Sequence, residues 1–484
     1  MPERHDLLVE IGTEELPPKA LKSLSEAFHQ ALLDGLSGAG LAAESSKAYA
    51  SPRRLAVHAI GVPEGQEDRV VERRGPALAA SFDDEGRPTK AAEGFARSCG
   101  VTVEDLERLE TDKGAWLGHR SVEPGRAAAE LLGGLVEQAL ARLPIPKRMR
   151  WGSGEAEFVR PIHWIVLLLG ERPVEAEVLG VRAGQETRGH RFHHPAPLYI
   201  GEPVTYAPLL ETEGRVLPDF EARRAAILGQ VEEAAAGLGG RALIDSDLLD
   251  EVTALVEWPS AVVGSFDRDF LEVPQEALIS AMQGHQKYFA VVDAQHRLLP
   301  HFIAISNLES RDPAQVREGN ERVIRPRFAD AAFFWEQDRK GRLSERRETL
   351  KGVVFQQRLG SLYDKTERVA RLARSIAGAL GLDAAMAAQA AELSKCDLMS
   401  QMVGEFPELQ GIMGRYYAAH EGYPEPVVRA LDEQYMPRHA GDVLPDGAIG
   451  QVLSLADRLD TLIGIFAIGQ RPSGTKDPFG LRRA

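Results

Sequence analysis

The alternation of apolar and polar positions changes character once along the chain. In the N-terminal part, short β-branched runs alternate with amphipathic stretches; from about Ala314 onward the apolar residues recur almost wholly at helical spacing. Leu7 to Ile11 reads as a strand that Thr13-Glu14-Glu15-Leu16-Pro17-Pro18 turns into an amphipathic helix from Lys19 to about Leu36. Pro18 suits a first helical turn, where its missing N–H costs nothing. Leu55 to Ile60 is a second strand, and Ala91 to Ser98 and Ala127 to Arg142 are helices. Phe158 to Leu167 is apolar and β-branched until Gly170 stops it, as a buried strand should be. Strands are also expected at Val174 to Val181, Ser260 to Gly264 and Lys287 to Val292, and helices at Phe220 to Leu238 and Pro274 to Gln283. Phe328, Ala331, Ala332 and Trp335 fall at i, i+3, i+4 and i+7, which describes one buried helix face.

These elements predict an α+β multidomain protein. A mixed α/β region spans 1–310, with two subdomains dividing near 150–220. A helical connector covers 311–350, and an all-α domain covers 351–484. At 484 residues the chain exceeds what one hydrophobic core usually supports.

Composition narrows the class. Charged residues at 27% and hydrophobic residues at 44% describe an ordinary soluble globular protein. No apolar run approaches the roughly 18 residues of a membrane span, and MPERHDLLVEIG has no signal-peptide core, so a cytoplasmic protein is expected. Two cysteines, Cys99 and Cys396, argue against a disulfide framework. A net charge of -15 opposes indiscriminate nucleic-acid binding. Between Arg317 and Lys351, however, ten Lys or Arg face seven Asp or Glu, so the local sign reverses.

Candidate chemistry is sparse. Lys147, Arg148 and Arg150 form a basic knot before Trp151, where cations beside an aromatic suit phosphate pairing and base stacking. Arg322, Arg325 and Arg327 precede the aromatic helix face and stand as RNA contacts or interface anchors. His190, Arg191, His193 and His194 suggest a structural or anion-contact role, because neighbours on a strand point apart and make a poor metal pair. His285 is a conceivable general base without a partner that the sequence identifies. No Gly-x-x-x-x-Gly-Lys-Ser/Thr loop and no strand-linked Gly-x-Gly-x-x-Gly occurs, so no familiar nucleotide cradle is offered.

LVEIGTEELPPKAL (Leu8 to Leu21), SPRRLAV (Ser51 to Val57), MRWGSGEAEFVRPIHW (Met149 to Trp164), TRGHRFHHP (Thr187 to Pro195), RVIRPRFADAAFFWEQD (Arg322 to Asp338), GEFPELQGIMGRYY (Gly404 to Tyr417) and SGTKDPFGLRR (Ser473 to Arg483) together resemble the β subunit of the bacterial α2β2 glycyl-tRNA synthetase. The resemblance implies an accessory subunit of a class II ligase that binds tRNA(Gly) and an α subunit. ATP, magnesium and glycine would be used in the α subunit, with no cofactor bound and no catalytic residue supplied by this chain. Family members normally continue beyond the last motif into an anticodon-binding region, so anticodon contacts are not expected from these residues.

The all-α part is similar to the HD phosphohydrolases, whose metal ligands are His, a His-Asp pair and a final Asp. Here Lys365 stands for the first His and Cys396 for the second. Asp397 matches the Asp, and Asp457 or Asp460 would be the last ligand. Two carboxylates without imidazoles bind a divalent ion weakly, so a metal-free, structural domain is expected. The alternative is a metal-dependent phosphohydrolase acting on nucleotides or RNA ends.

Overall fold

The computed structural model describes residues 3–83, 85–111, 114–474 and 476–484; Thr475 of the last motif lies outside them. It has two compact units. The first comprises Met1–Gly229, Ser246–Ser260 and Ile305–Glu309, and the second comprises Gln230–Asp245, Ala261–Ala304 and Ser310–Ala484. Residues 230–245 and 261–304 thus belong with the helical C-terminal part.

The first unit is built on a sheet in the order Glu177–Val178, Val181–Gly184, Ile162–Leu169, Arg4–Thr13, Arg54–Pro63, Ser45–Ser51, with Arg172–Pro173 paired beside Ile162–Leu169. Arg4–Thr13 lies at its centre, where Val9 faces Val57 on one side and Leu167 on the other, both antiparallel. Side chains of a strand alternate between faces. Leu7, Val9 and Ile11 therefore pack in one cluster with Leu21, Phe28 and Leu32 of helix Pro18–Gly38 and Leu132 and Val136 of helix Ala128–Ala141. Leu8 joins Trp164, Val166, Tyr206 and Leu210 in a second cluster. Gly12 admits the indole of Trp164, since a Cβ there would lie 1.9 Å from the ring.

One sequence expectation fails in this unit, and one sheet has no counterpart among the expected elements. Val174 to Val181 is not one strand: the chain turns at Leu179 and Gly180, both at positive φ, and returns to pair with itself. The three-stranded sheet Arg69–Ala77, Gly114–Glu123, Glu107–Thr111 was not anticipated. Its charge-rich strands bury few residues, so the period-two signal is weak.

The second unit joins the sheet Arg241–Ala242, Phe289–Val292, Leu298–Ser306, Ser260–Ser265 to a helical assembly. Helix Pro313–Asp338, capped by the Asp312 carboxylate, buries Ile324, Phe328 and Ala331 in the core of this unit. Helices Leu362–Ala379, Ala384–Leu393, Ile412–His420, Glu425–Glu433 and Ala448–Ala467 follow. The expected helical character from Ala314 holds apart from the short pairing of Val354–Gln356 with Gly360–Ser361. Among the described residues no helix is long and apolar enough to cross a membrane.

Candidate functional site

Buried charged residues converge in each unit. In the first, Glu10, Arg54 and Thr187 are fully buried and Glu257 nearly so. Arg54 donates from Nη1 to Glu10 Oε1 (3.2 Å), from Nη2 to Glu257 Oε1 (3.2 Å) and the Arg188 carbonyl (2.8 Å), and from Nε to Ser51 Oγ (2.9 Å). One guanidinium thus bridges two carboxylates and ties together LVEIG, SPRRLAV and TRGHRF, a use that suits its fixed fork of donors. Burial favours neutral forms, yet Arg54 and then Arg53 hold Glu257 below the usual carboxylate range. At Glu10 burial prevails and its pKa is raised, with Oε2 lacking a hydrogen-bond partner among the described residues.

His190 closes one end of this network. Its Nε2–H donates to the Asn307 carbonyl (2.6 Å), and Nδ1 accepts the N–H groups of Phe192 and His193 (3.2 Å each). Burial lowers its pKa and keeps the ring neutral. His190 to His194 is therefore a built loop, presenting Phe192 to solvent. At the surface Glu14 accepts from Arg191 (3.1 Å) and pairs with His163 (3.0 Å). Glu3, His5 and Glu64 have the spacing of a metal group but are exposed or half-buried.

The basic knot is partly engaged internally. Arg148 donates to the Ala141 carbonyl (3.1 Å) and Arg150 pairs with Glu155 (3.1 Å), whereas Lys147 is exposed. On helix Pro313–Asp338, Arg322 pairs with Glu318 (2.8 Å). Arg325 and Arg327 are exposed and have no ion-pair partner among the described residues.

In the second unit Lys365, Asp457 and Asp460 come together. Ser361 and Asp364 form a capping box that starts helix Leu362–Ala379 just before Lys365. Asp457 and Asp460 are three apart on helix Ala448–Ala467, hence on one face. Lys365 Nζ lies 3.3 Å from Asp457 Oδ1 and 3.2 Å from Asp460 Oδ2. Two partners escaped the sequence reading. Lys395 Nζ is 3.4 Å from Asp457 Oδ1 and donates to Gln434 Oε1 (2.7 Å), and Arg368 grips Asp460 through Nε (2.6 Å) and Nη2 (3.2 Å). Lys395 and then Lys365 hold Asp457 below the usual carboxylate range against the effect of burial. The overlooked signal was Lys395 itself, an ammonium directly after an alanine-rich buried helix.

Cys396 and Asp397 serve other partners. The Cys396 thiol donates to the Glu392 carbonyl (3.5 Å), and burial, then Asp397, pushes it up to about 12, so it stays protonated. Asp397 Oδ2 accepts the N–H groups of Gly411 (2.5 Å) and Gly414 (3.1 Å), tying the turn after Leu409 to the helix that follows. Gly411, at φ +83°, is required there. Burial raises Asp397 to about 6 despite these bonds. The donor set does not suit a catalytic metal, because the positions expected to carry imidazoles hold an ammonium, Lys365, and a protonated thiol, Cys396. Nearby, Asp338 accepts from Tyr417 Oη (2.8 Å) and from the N–H groups of Gln401 and Met402 (3.0 Å each), and Trp335 stacks on Tyr417, which joins two of the recognised motifs.

Comparison with known proteins adds the lineage. The sequence model of the glycyl-tRNA synthetase beta subunit family matches residues 7–484. The chain is similar to the glycine–tRNA ligase beta subunit of Hahella chejuensis, 57% identical over 479 residues that cover 99% of this chain and 69% of the relative. It is similar to that of Chromohalobacter salexigens (58% over 478 residues, 99% and 69%) and to that of Glaesserella parasuis (52% over 479 residues, 99% and 70%). With buried networks built from its recognised motifs and a match that runs almost end to end, the chain belongs to the glycyl-tRNA synthetase beta subunit family.

Proposed function

We propose that this chain works as the β subunit of a glycine–tRNA ligase, binding tRNA(Gly) and an α subunit so that glycine is attached to tRNA at the α subunit's site. The observation that carries this reading is the family match over residues 7–484, with relatives named as that subunit at 51–58% identity. The partner α subunit would use ATP and magnesium in an α2β2 assembly in the cytoplasm, and this chain alone would not be catalytic. The sequence agrees, since it offers no phosphate-cradling loop.

For RNA contact the reading singles out Arg325 and Arg327, exposed cations without an ion-pair partner among the described residues, together with Lys147. Arg322, Arg148 and Arg150 are weaker choices because each already has a partner. The helices between Leu362 and Ala467 are read as an HD-like domain whose ligand positions have turned structural; the meeting of Lys365 with Asp457 and Asp460 supports this and disfavours a phosphohydrolase.

The test is to mix the chain with a glycyl-tRNA synthetase α subunit and measure glycine charging of tRNA(Gly). Charging that depends on both chains is expected. Binding of neither tRNA nor the α subunit would sink the assignment, and manganese-dependent phosphate release from the chain alone would favour the hydrolase.

A further inference from the structure

Lys365 is almost completely buried, and its ammonium is surrounded by oxygen. Nζ lies 2.7 Å from Thr461 Oγ1, 3.2 Å from the Asp457 carbonyl, 3.2 Å from Asp460 Oδ2 and 3.3 Å from Asp457 Oδ1. A carbonyl, a hydroxyl and two carboxylates from one helix are the donor types that hard cations take. The Phe355 ring covers another side, 4.8 Å from Nζ. Asp457 and Thr461 also line a cleft of about 340 Å³ with Gln434 and Arg458, so these two residues stand between the cradle and an opening.

We propose that this oxygen cradle is a cation site with a lysine permanently in it, and that it takes up a free divalent cation once the ammonium is removed. The tethered cation makes the helical assembly independent of metal supply. The distances also set an order. Contraction from 2.7–3.3 Å is smaller for calcium, which binds oxygen at about 2.3–2.6 Å in flexible shells, than for magnesium at about 2.0–2.1 Å in a strict octahedron. Calcium should therefore bind better. Lys395 and Arg368 remain beside the carboxylates and hold the affinity down, toward the millimolar range of weak oxygen sites.

The experiment compares the thermal unfolding of the full chain with that of Lys365→Ala, with and without calcium or magnesium at about 10 mM, a concentration above the affinity of weak oxygen sites. Calcium is expected to raise the midpoint of Lys365→Ala by about 2–4 °C, magnesium by less, and neither ion to move the wild-type chain. Lys365→Met, which fills the cradle with an apolar stem, should not respond, and Asp460→Asn added to Lys365→Ala should abolish the response. Direct calcium uptake by equilibrium dialysis covers the case of a poorly folded variant: folding or uptake that appears only with calcium supports the proposal. A Lys365→Ala variant that takes up no calcium, or an equal response in Lys365→Met, overturns it.

Discussion

The two units bury charge by opposite economies. In the first, the Arg54 guanidinium bridges two carboxylates: among the described residues it is the one cation paired with Glu10, and it shares Glu257 with Arg53, which lies 3.5 Å away, while its other donors go to Ser51 and a carbonyl. In the second, three cations serve two carboxylates: Asp457 faces Lys365 and Lys395, and Asp460 faces Lys365 and Arg368. A buried charge left without its partner is strongly destabilising, whereas a shared one can be backed up. The first network should fail at one residue, and the second should degrade in steps.

The sharpest break is Arg54→Met, which leaves buried Glu10 without a cation and Glu257 with Arg53 alone, and should cost about 3–5 kcal/mol, read as a fall in the denaturant midpoint. Arg54→Lys should recover only part, because an ammonium lacks the fork that reaches both acids. A loss below about 1 kcal/mol, the size of a surface pair, would contradict the single-keystone reading.

Next in size is Asp397, whose folded pKa near 6 stands above its ordinary value of 3.8. With a raised folded pKa, its stabilising contribution is complete below about 3.8 and is lost as pH rises through about 6; the ionised form then costs on the order of 3 kcal/mol. Asp397→Asn removes this titration. Relative to wild type the variant should therefore gain stability between pH 4 and pH 8, measured as the difference of the two denaturation curves. An unchanged difference would place the carboxylate in a more polar setting than its Gly411 and Gly414 contacts describe.

Lys365→Met should cost less than Arg54→Met, about 2 kcal/mol, because Lys395 and Arg368 still hold the two acids. Adding Lys395→Met should cost more than the sum of the single changes, since Asp457 then loses both partners. Strict additivity would deny the redundancy. The smallest effects belong to the surface. Arg325→Ala and Lys147→Ala should each weaken tRNA binding and lower the salt slope by about one, with stability unchanged within about 0.5 kcal/mol.

Elements with strong periodicity were legible in the chain: the Arg4–Thr13 strand, the Pro18–Gly38 helix and the Phe328 face are where apolar spacing places them. The 69–123 sheet was not, because its strands are rich in charge and half exposed. At the candidate sites, the resemblance to HD phosphohydrolases pointed to Lys365, Asp457 and Asp460, which lie together in the structure. It grouped them with Cys396 and Asp397, which turn to Glu392, Gly411 and Gly414 instead. Adjacency along a chain says little about which way a short 3-10 turn aims its side chains. No local pattern points to this network, because Glu10 and Glu257 are lone charges in apolar runs and Arg54 follows Arg53 in a turn, and only the fold brings positions 10, 54 and 257 to one point.

His190 offers a spectroscopic handle. Its two ring nitrogens are held in unlike states, one protonated against the Asn307 carbonyl and one bare beneath two amides. Among thirteen histidines, a neutral ring with a shielded Nε2 proton should stand apart in a nitrogen-15 spectrum through slow solvent exchange. That resonance would report in real time whether the Arg191 to His194 loop keeps its shape when other molecules are added, without any label introduced at the surface.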